Sequence, residues 1–264
     1  MPSDHTAALT YSSYLALDEI LGAQRPRSEE HDEMLFIVIH QVYELWFKQL
    51  LHELAYLQRR LEADDAPHAL STLKRILTIL KTIVAQIDVL ETMTPRQFTS
   101  FRGRLDAASG FQSMQFRELE AVLGRREAGV LEHYGPQSDA RRRLTQAMAR
   151  PSLYDSFLRY LVGHGYAIPR PALERDVAQP YAPSEDVQRA VLDAYRDDGE
   201  AAQICERLVD VDEGMQEWRY RHVKMVERTI GDKTGTGGSS GAAYLRATLF
   251  QAAFPDLWAV RGEL

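Results

Sequence analysis

The chain has 264 residues, 45% apolar and 26% charged, enough for a buried core and ordinary for a soluble globular protein. A net charge of −7 argues against sequence-independent nucleic-acid binding, which needs a basic face, and basic runs such as Arg141-Arg142-Arg143 are short. The single cysteine, Cys205, excludes an intrachain disulfide framework.

The opening residues Met1 to His5 lack a basic segment followed by an apolar one, so no secretory leader is expected. The first long helix is expected from about Glu29 to Glu62. Its stripe is Phe36, His40, Tyr43, Phe47, Leu50, Leu51 and Leu54 at three/four spacing. The acidic run around His31 resembles a metal cluster, but acids at a helix N-terminus are explained more simply by the macrodipole. Polar residues from His40 to Glu53 interrupt the most apolar stretch, Met34 to Leu54, so it cannot span a membrane; the cytoplasm is the expected compartment.

A second stripe follows: Leu70, Leu73, Ile76, Leu77, Leu80, Val84, Ile87 and Leu90. Thr94-Pro95-Arg96-Gln97 reads as a helix start, with threonine capping, proline in the first turn and Gln97 completing a capping box. Irregular chain is expected over Asp106–Gly110, His164–Pro183 and Gly231–Gly241. A third long helix is expected from about Gly199 to Ile230, with the stripe Leu208, Val211, Met215, Trp218, His222, Met225, Val226 and Thr229 and a stop at Gly231. Period-two alternation, internal repeats and composition shifts are absent. The expectation is an all-α fold, a single helical domain of long antiparallel helices over residues 1–264.

Two histidines lie on apolar helix faces. His222, in phase with Met215, Trp218 and Met225, is either the axial ligand of a haem iron or a core histidine bonded to a carbonyl; position alone favours the second. His40, between Phe36 and Tyr43, suits a pocket for a flat ligand whose N–H needs an acceptor, or is again a packed core residue. The glycine-rich run from Gly231 to Gly241 is neither a Walker loop nor a dinucleotide fingerprint. It is a solvent loop or a flexible cover for a polar ligand. Arg102 can grip a carboxylate through two parallel hydrogen bonds, although a lone arginine usually lies at the surface. No zinc-ligand spacing, Cys-x-x-Cys-His haem attachment or Gly-x-Ser-x-Gly elbow occurs.

Taken together, these blocks closely resemble the tryptophan 2,3-dioxygenase family. The matching segments are Leu9 to Leu15, His31 to Gln41, Glu44 to Lys48, Phe101-Arg102, Ser109 to Ser113, Asp210 to Asp212, Trp218 to His222 and Gly235 to Gly241. They span nearly the whole chain in the family's order. Each is weak alone, and the combination is specific.

The resemblance implies haem b held without covalent attachment, with His222 as proximal iron ligand. His40 would lie on the distal side and accept a hydrogen bond from the indole N–H, and Phe36 would pack on the indole. Arg102 would pair with the substrate carboxylate, Thr236 would meet the ammonium and carboxylate, and Ser109 would sit close to the haem. Residues 1–25 would reach a neighbouring subunit of a homotetramer, where Tyr11, Tyr14 and Leu15 complete the pocket. The implied substrates are L-tryptophan and O2, and the product of indole C2–C3 cleavage is N-formylkynurenine, a step of tryptophan catabolism.

Phe98 stands near the carboxylate where some bacterial members carry tyrosine, Phe116 similarly replaces a tyrosine, and Ile87 replaces a tryptophan. These departures bear on substrate preference. A related haem monooxygenase converts tryptophan-like substrates to oxindoles with one oxygen atom, and that reading stays open on the sequence. A haem sensor or carrier would keep His222 without needing Arg102 or the glycine loop. A helical scaffold without cofactor would show no Soret band.

Overall fold

The computed structural model describes residues 8–106, 108, 110–231, 233 and 242–264. Two short helices, α1 (Tyr11–Leu15) and α2 (Leu17–Leu21), precede the long α3 (His31–Glu62). Glu33 in the first turn of α3 is almost fully buried. Its carboxylate accepts hydrogen bonds from the Arg27 and Ser28 amides, each at 2.8 Å, and from the Ser28 hydroxyl at 2.6 Å. Burial opposes its ionisation, but the bonds from Ser28 and Arg27 outweigh this and hold its pKa below the usual glutamate value. The acidic start of α3 is therefore a specific latch on the preceding segment as well as a complement to the macrodipole.

After a turn over 63–65, α4 (Ala66–Leu90) begins, with Asp65 accepting from the His68 amide and Pro67 in the first turn. So short a connection forces α3 and α4 antiparallel. Tyr43 Oη donates to the Ile83 carbonyl at 2.8 Å, Gln86 to the Ile39 carbonyl at 3.3 Å, and Arg75 meets Glu53 at 3.1 Å. Residue numbers rise on one helix as they fall on the other. The apolar face of α4 is wider than the sequence stripe, because Ala69, Ile79 and Ile83 are buried too. It packs against α3 on one side and α11 (Glu200–Ile230) on the other.

α11 runs in the same direction as α4. Its Gly214 faces Leu80, and seven residues on, Arg221 bonds Asp88 at 2.6 Å and Glu91 at 3.2 Å. A Cβ on Gly214 would lie 3.2 Å from Leu80 Cδ1, so glycine here permits close approach of the two helices. The parallel placement is possible because a long excursion separates them in sequence. It carries α5 (Pro95–Arg102), α6 (Met114–Val122), α7 (Asp139–Met148), α8 (Leu153–Gly163), α9 (Arg170–Leu173) and α10 (Glu185–Arg196). The capping box of α5 forms as the sequence predicts, with both Thr94 and Gln97 side chains engaged. Gly231 ends α11 at φ +61°, where glycine is favoured.

After α11 come α12 (Ala242–Arg246) and α13 (Pro255–Ala259), fastened by two buried carboxylates. Asp212 of α11 accepts from the Ala253 and Phe254 amides at 2.8 and 3.2 Å and from Trp258 Nε1 at 2.8 Å. Asp256 accepts from Tyr154, Tyr181, the Ser184 amide and Gln188. Each donor satisfies part of a charge whose burial would otherwise be costly.

The described helices share one apolar core running from Ile39 to Val260, with a small satellite around Val130 and Leu144. Among the described residues there is no strand, and no helix is long and apolar enough to cross a membrane. The architecture is all-α, as the periodicity predicts.

Candidate active site

Where α11 passes beyond Trp218, its stripe leaves the core. Leu208, Val211, Met215 and Trp218 are buried, whereas His222, Met225, Val226 and Thr229 are partly accessible. The accessible space is a cavity of about 230 Å³ bounded by α3, α4, α5, α6 and α11 and open on one side. Phe36, His40, Phe98, Arg102 and His222, from three helices, all line it.

His40 Nδ1 lies 2.7 Å from the carbonyl oxygen of Phe36, one turn back on α3. A carbonyl only accepts, so Nδ1 carries the proton and the neutral ring leaves Nε2 as an acceptor. Burial pushes the pKa of His40 below its ordinary value, against the Phe36 carbonyl and the Glu44 carboxylate, which favour the charged form. Phe36 packs tilted against His40 with centroids 4.1 Å apart and meets Phe98 and Phe101 of α5, each at 5.7 Å. This makes one apolar wall suited to a flat aromatic ligand. Arg102, in the last turn of α5, borders the same space and is partly buried.

His222 stacks on Trp218, the residue one turn earlier, at 5.0 Å and 21°. Burial, then the charges of His40 and Arg117, push its pKa down to about 4, so the ring is neutral at ordinary pH. It makes no hydrogen bond among the described residues. A neutral imidazole that faces an apolar cavity and has no hydrogen bond among the described residues fits an axial haem ligand better than a satisfied core histidine. Among the described residues no three histidine, cysteine or carboxylate groups converge as a bare-metal site.

Ser109 and Thr236 lie outside the described residues; Ala108 and Gly110, which flank position 109 in sequence, border the cavity. Tyr11, Tyr14 and Leu15 are not brought to the cavity of their own chain. Tyr11 and Tyr14 are 76% and 72% exposed, Leu15 is partly buried, and α1 buries no residue.

One group escaped the sequence reading. Glu120 of α6 is buried and takes an ion pair from Arg117 at 2.7 Å, Arg219 at 2.9 Å and Arg125 at 3.3 Å; Arg219 also donates to the Thr248 carbonyl. Glu120, Arg219 and Thr248 all border the cavity. No spacing rule links positions 117, 120, 125 and 219. The one local signal was the three-residue step from Arg117 to Glu120 on a helix.

The family model described as tryptophan 2,3-dioxygenase matches residues 3–144 and 193–264. The tryptophan 2,3-dioxygenase of Anaeromyxobacter sp. (strain K) is 70% identical over 263 residues, covering 100% of this chain and 99% of its own. That of Herpetosiphon aurantiacus is 60% identical, covering 97% and 99%, and that of Caulobacter vibrioides is 45% identical, covering 97% and 98%. With most of its length matched by the family model and relatives this similar from end to end, the chain belongs to the tryptophan 2,3-dioxygenase family.

Proposed function

We propose that this protein is a haem-dependent dioxygenase that cleaves the indole C2–C3 bond of L-tryptophan with O2, giving N-formylkynurenine. The observation that carries the proposal is the pairing, across one cavity, of a neutral unbonded His222 with a His40 whose Nε2 is an acceptor. In this reading His222 holds the iron of haem b, and the bound haem supplies the activation of O2.

The chain's own residues bind and orient the amino acid. His40 Nε2 accepts a hydrogen bond from the indole N–H, fixing which edge of the ring faces the iron side and raising electron density in the ring. Phe36 and Phe98 cover the indole and exclude water, so reacting groups meet in a dry, low-dielectric space. Arg102 pairs with the carboxylate, with Thr236 and Ser109 assigned beside it and beside the haem. A zwitterion entering such a site needs fixed partners for both ends. Tyr11, Tyr14 and Leu15 are assigned to the pocket of a neighbouring subunit in a homotetramer; the exposure of Tyr11 and Tyr14 in the isolated chain suits residues that find cover elsewhere.

The test is the mass of the product formed when the reduced, haem-loaded protein receives L-tryptophan and ¹⁸O2. Two labelled oxygen atoms in a ring-opened product are expected. One labelled atom in an oxindole would replace this reading with the monooxygenase.

A further inference from the structure

The orientation of His222 has an unusual source. Its ring makes no hydrogen bond among the described residues, so none of their carbonyls or carboxylates fixes its rotation about the Cβ–Cγ bond. Metal-binding histidines are commonly held by such a partner on the second ring nitrogen. Here the available constraint is packing, and the flat surface in contact is the indole of Trp218, at 5.0 Å and 21°.

Trp218 is itself firmly placed. It is 8% exposed. Phe116 of α6 lies against it with centroids 4.7 Å apart, and Phe47 and Tyr43 of α3 present their edges at 6.1 and 6.4 Å. These rings come from two other helices, so the indole plane is set independently of α11. Its buried Nε1–H lies toward the Tyr43 hydroxyl, short of full hydrogen-bond geometry.

We propose that Trp218 is a positioning residue: its indole, braced by Phe116, Phe47 and Tyr43, sets the ring plane of His222 in place of a hydrogen-bonding partner. Coordination to a metal draws electron density from imidazole, and an electron-rich indole face stabilises that form by the physics of a cation over a ring. The inference rests on His222 being the axial ligand. It goes beyond that assignment by naming what orients the ligand.

The test is resonance Raman spectroscopy of the reduced, haem-loaded full chain, following the iron–histidine stretching band, together with the rate of haem loss to excess apomyoglobin. Trp218→Phe keeps a stacked face and is expected to retain a single band and slow haem loss. Trp218→Leu should broaden or shift the band and speed haem loss by about 10–100-fold, the usual cost of losing an outer-shell partner. A Trp218→Leu protein with the parent's band and haem-loss rate overturns the proposal. If that variant does not fold, Phe116→Leu, which loosens the brace and leaves the stacked pair, should broaden the band, and an unchanged band there overturns it equally. A parent protein with no iron–histidine band would instead refute the His222 assignment, and so is told apart from failure of the Trp218 role.

Discussion

The Phe36 carbonyl oxygen and His40 Nδ1 are 2.7 Å apart, and this single contact decides which nitrogen of His40 faces the cavity as an acceptor. The backbone of α3 fixes the tautomer, so no carboxylate is needed to do so. His40→Ala should keep haem and lose substrate orientation. Against L-tryptophan, 1-methyltryptophan lacks the N–H donor and should bind the parent about 2–10-fold more weakly, the worth of one hydrogen bond. In His40→Ala that discrimination should vanish. Equal discrimination in parent and variant, measured by titration under nitrogen, would remove His40 from indole recognition.

Arg102 gives a second, independent prediction. Arg102→Ala should weaken L-tryptophan binding by about 2–5 kcal/mol, the range for truncating one partner of a buried charge pair. Binding of tryptamine, which has no carboxylate, should change little. Parallel losses for both ligands would mean that the variant disturbs the cavity as a whole.

The Glu120 cluster governs stability. Three arginines converge on one buried carboxylate, and removing it leaves their charges poorly compensated. Glu120→Ala should cost about 3–5 kcal/mol in a urea denaturation of the haem-free protein. A cost below about 1 kcal/mol would show that the cluster is effectively solvated.

Much of this architecture was legible in the sequence because periodicity is local. The helix expected from Glu29 to Glu62 spans His31–Glu62, and the one expected from Gly199 to Ile230 spans Glu200–Ile230. The Thr94 capping box was readable for the same reason. The expected antiparallel order holds for α3 and α4 but not for α4 and α11, which lie parallel because of a long excursion that no pattern within either helix encodes. α8 buries Asp155 and Ser156 along with its apolar residues, so its buried face is wider than an apolar stripe would show. His222 and His40 were visible as candidates, but only the fold brings them to one cavity. The Glu120 cluster and the brace around Trp218 join positions far apart in sequence, where spacing carries no information.

Glu33 makes the account sensitive to pH. Its folded pKa lies below the ordinary value of 4.5, so its contribution to stability is fully present above about pH 4.5 and is lost as pH falls through the folded value. Glu33→Gln should therefore be less stable than the parent at pH 7, by about 1–3 kcal/mol for a buried acceptor with several donors. The gap should narrow as the pH is lowered into the range where Glu33 protonates. A gap independent of pH, measured from urea midpoints, would mean that the carboxylate's charge is not what latches residues 27 and 28 to α3.

The central claim is that the imidazole of His222 ligates haem iron in this cavity. The most direct measurement is the absorption spectrum of the haem-loaded protein beside that of His222→Gly, titrated with free imidazole. The parent should show a histidine-ligated Soret band, and the variant should lose it and recover it as imidazole fills the vacated space. A His222→Gly protein that binds haem tightly with the parent's spectrum, and ignores added imidazole, would contradict the assignment.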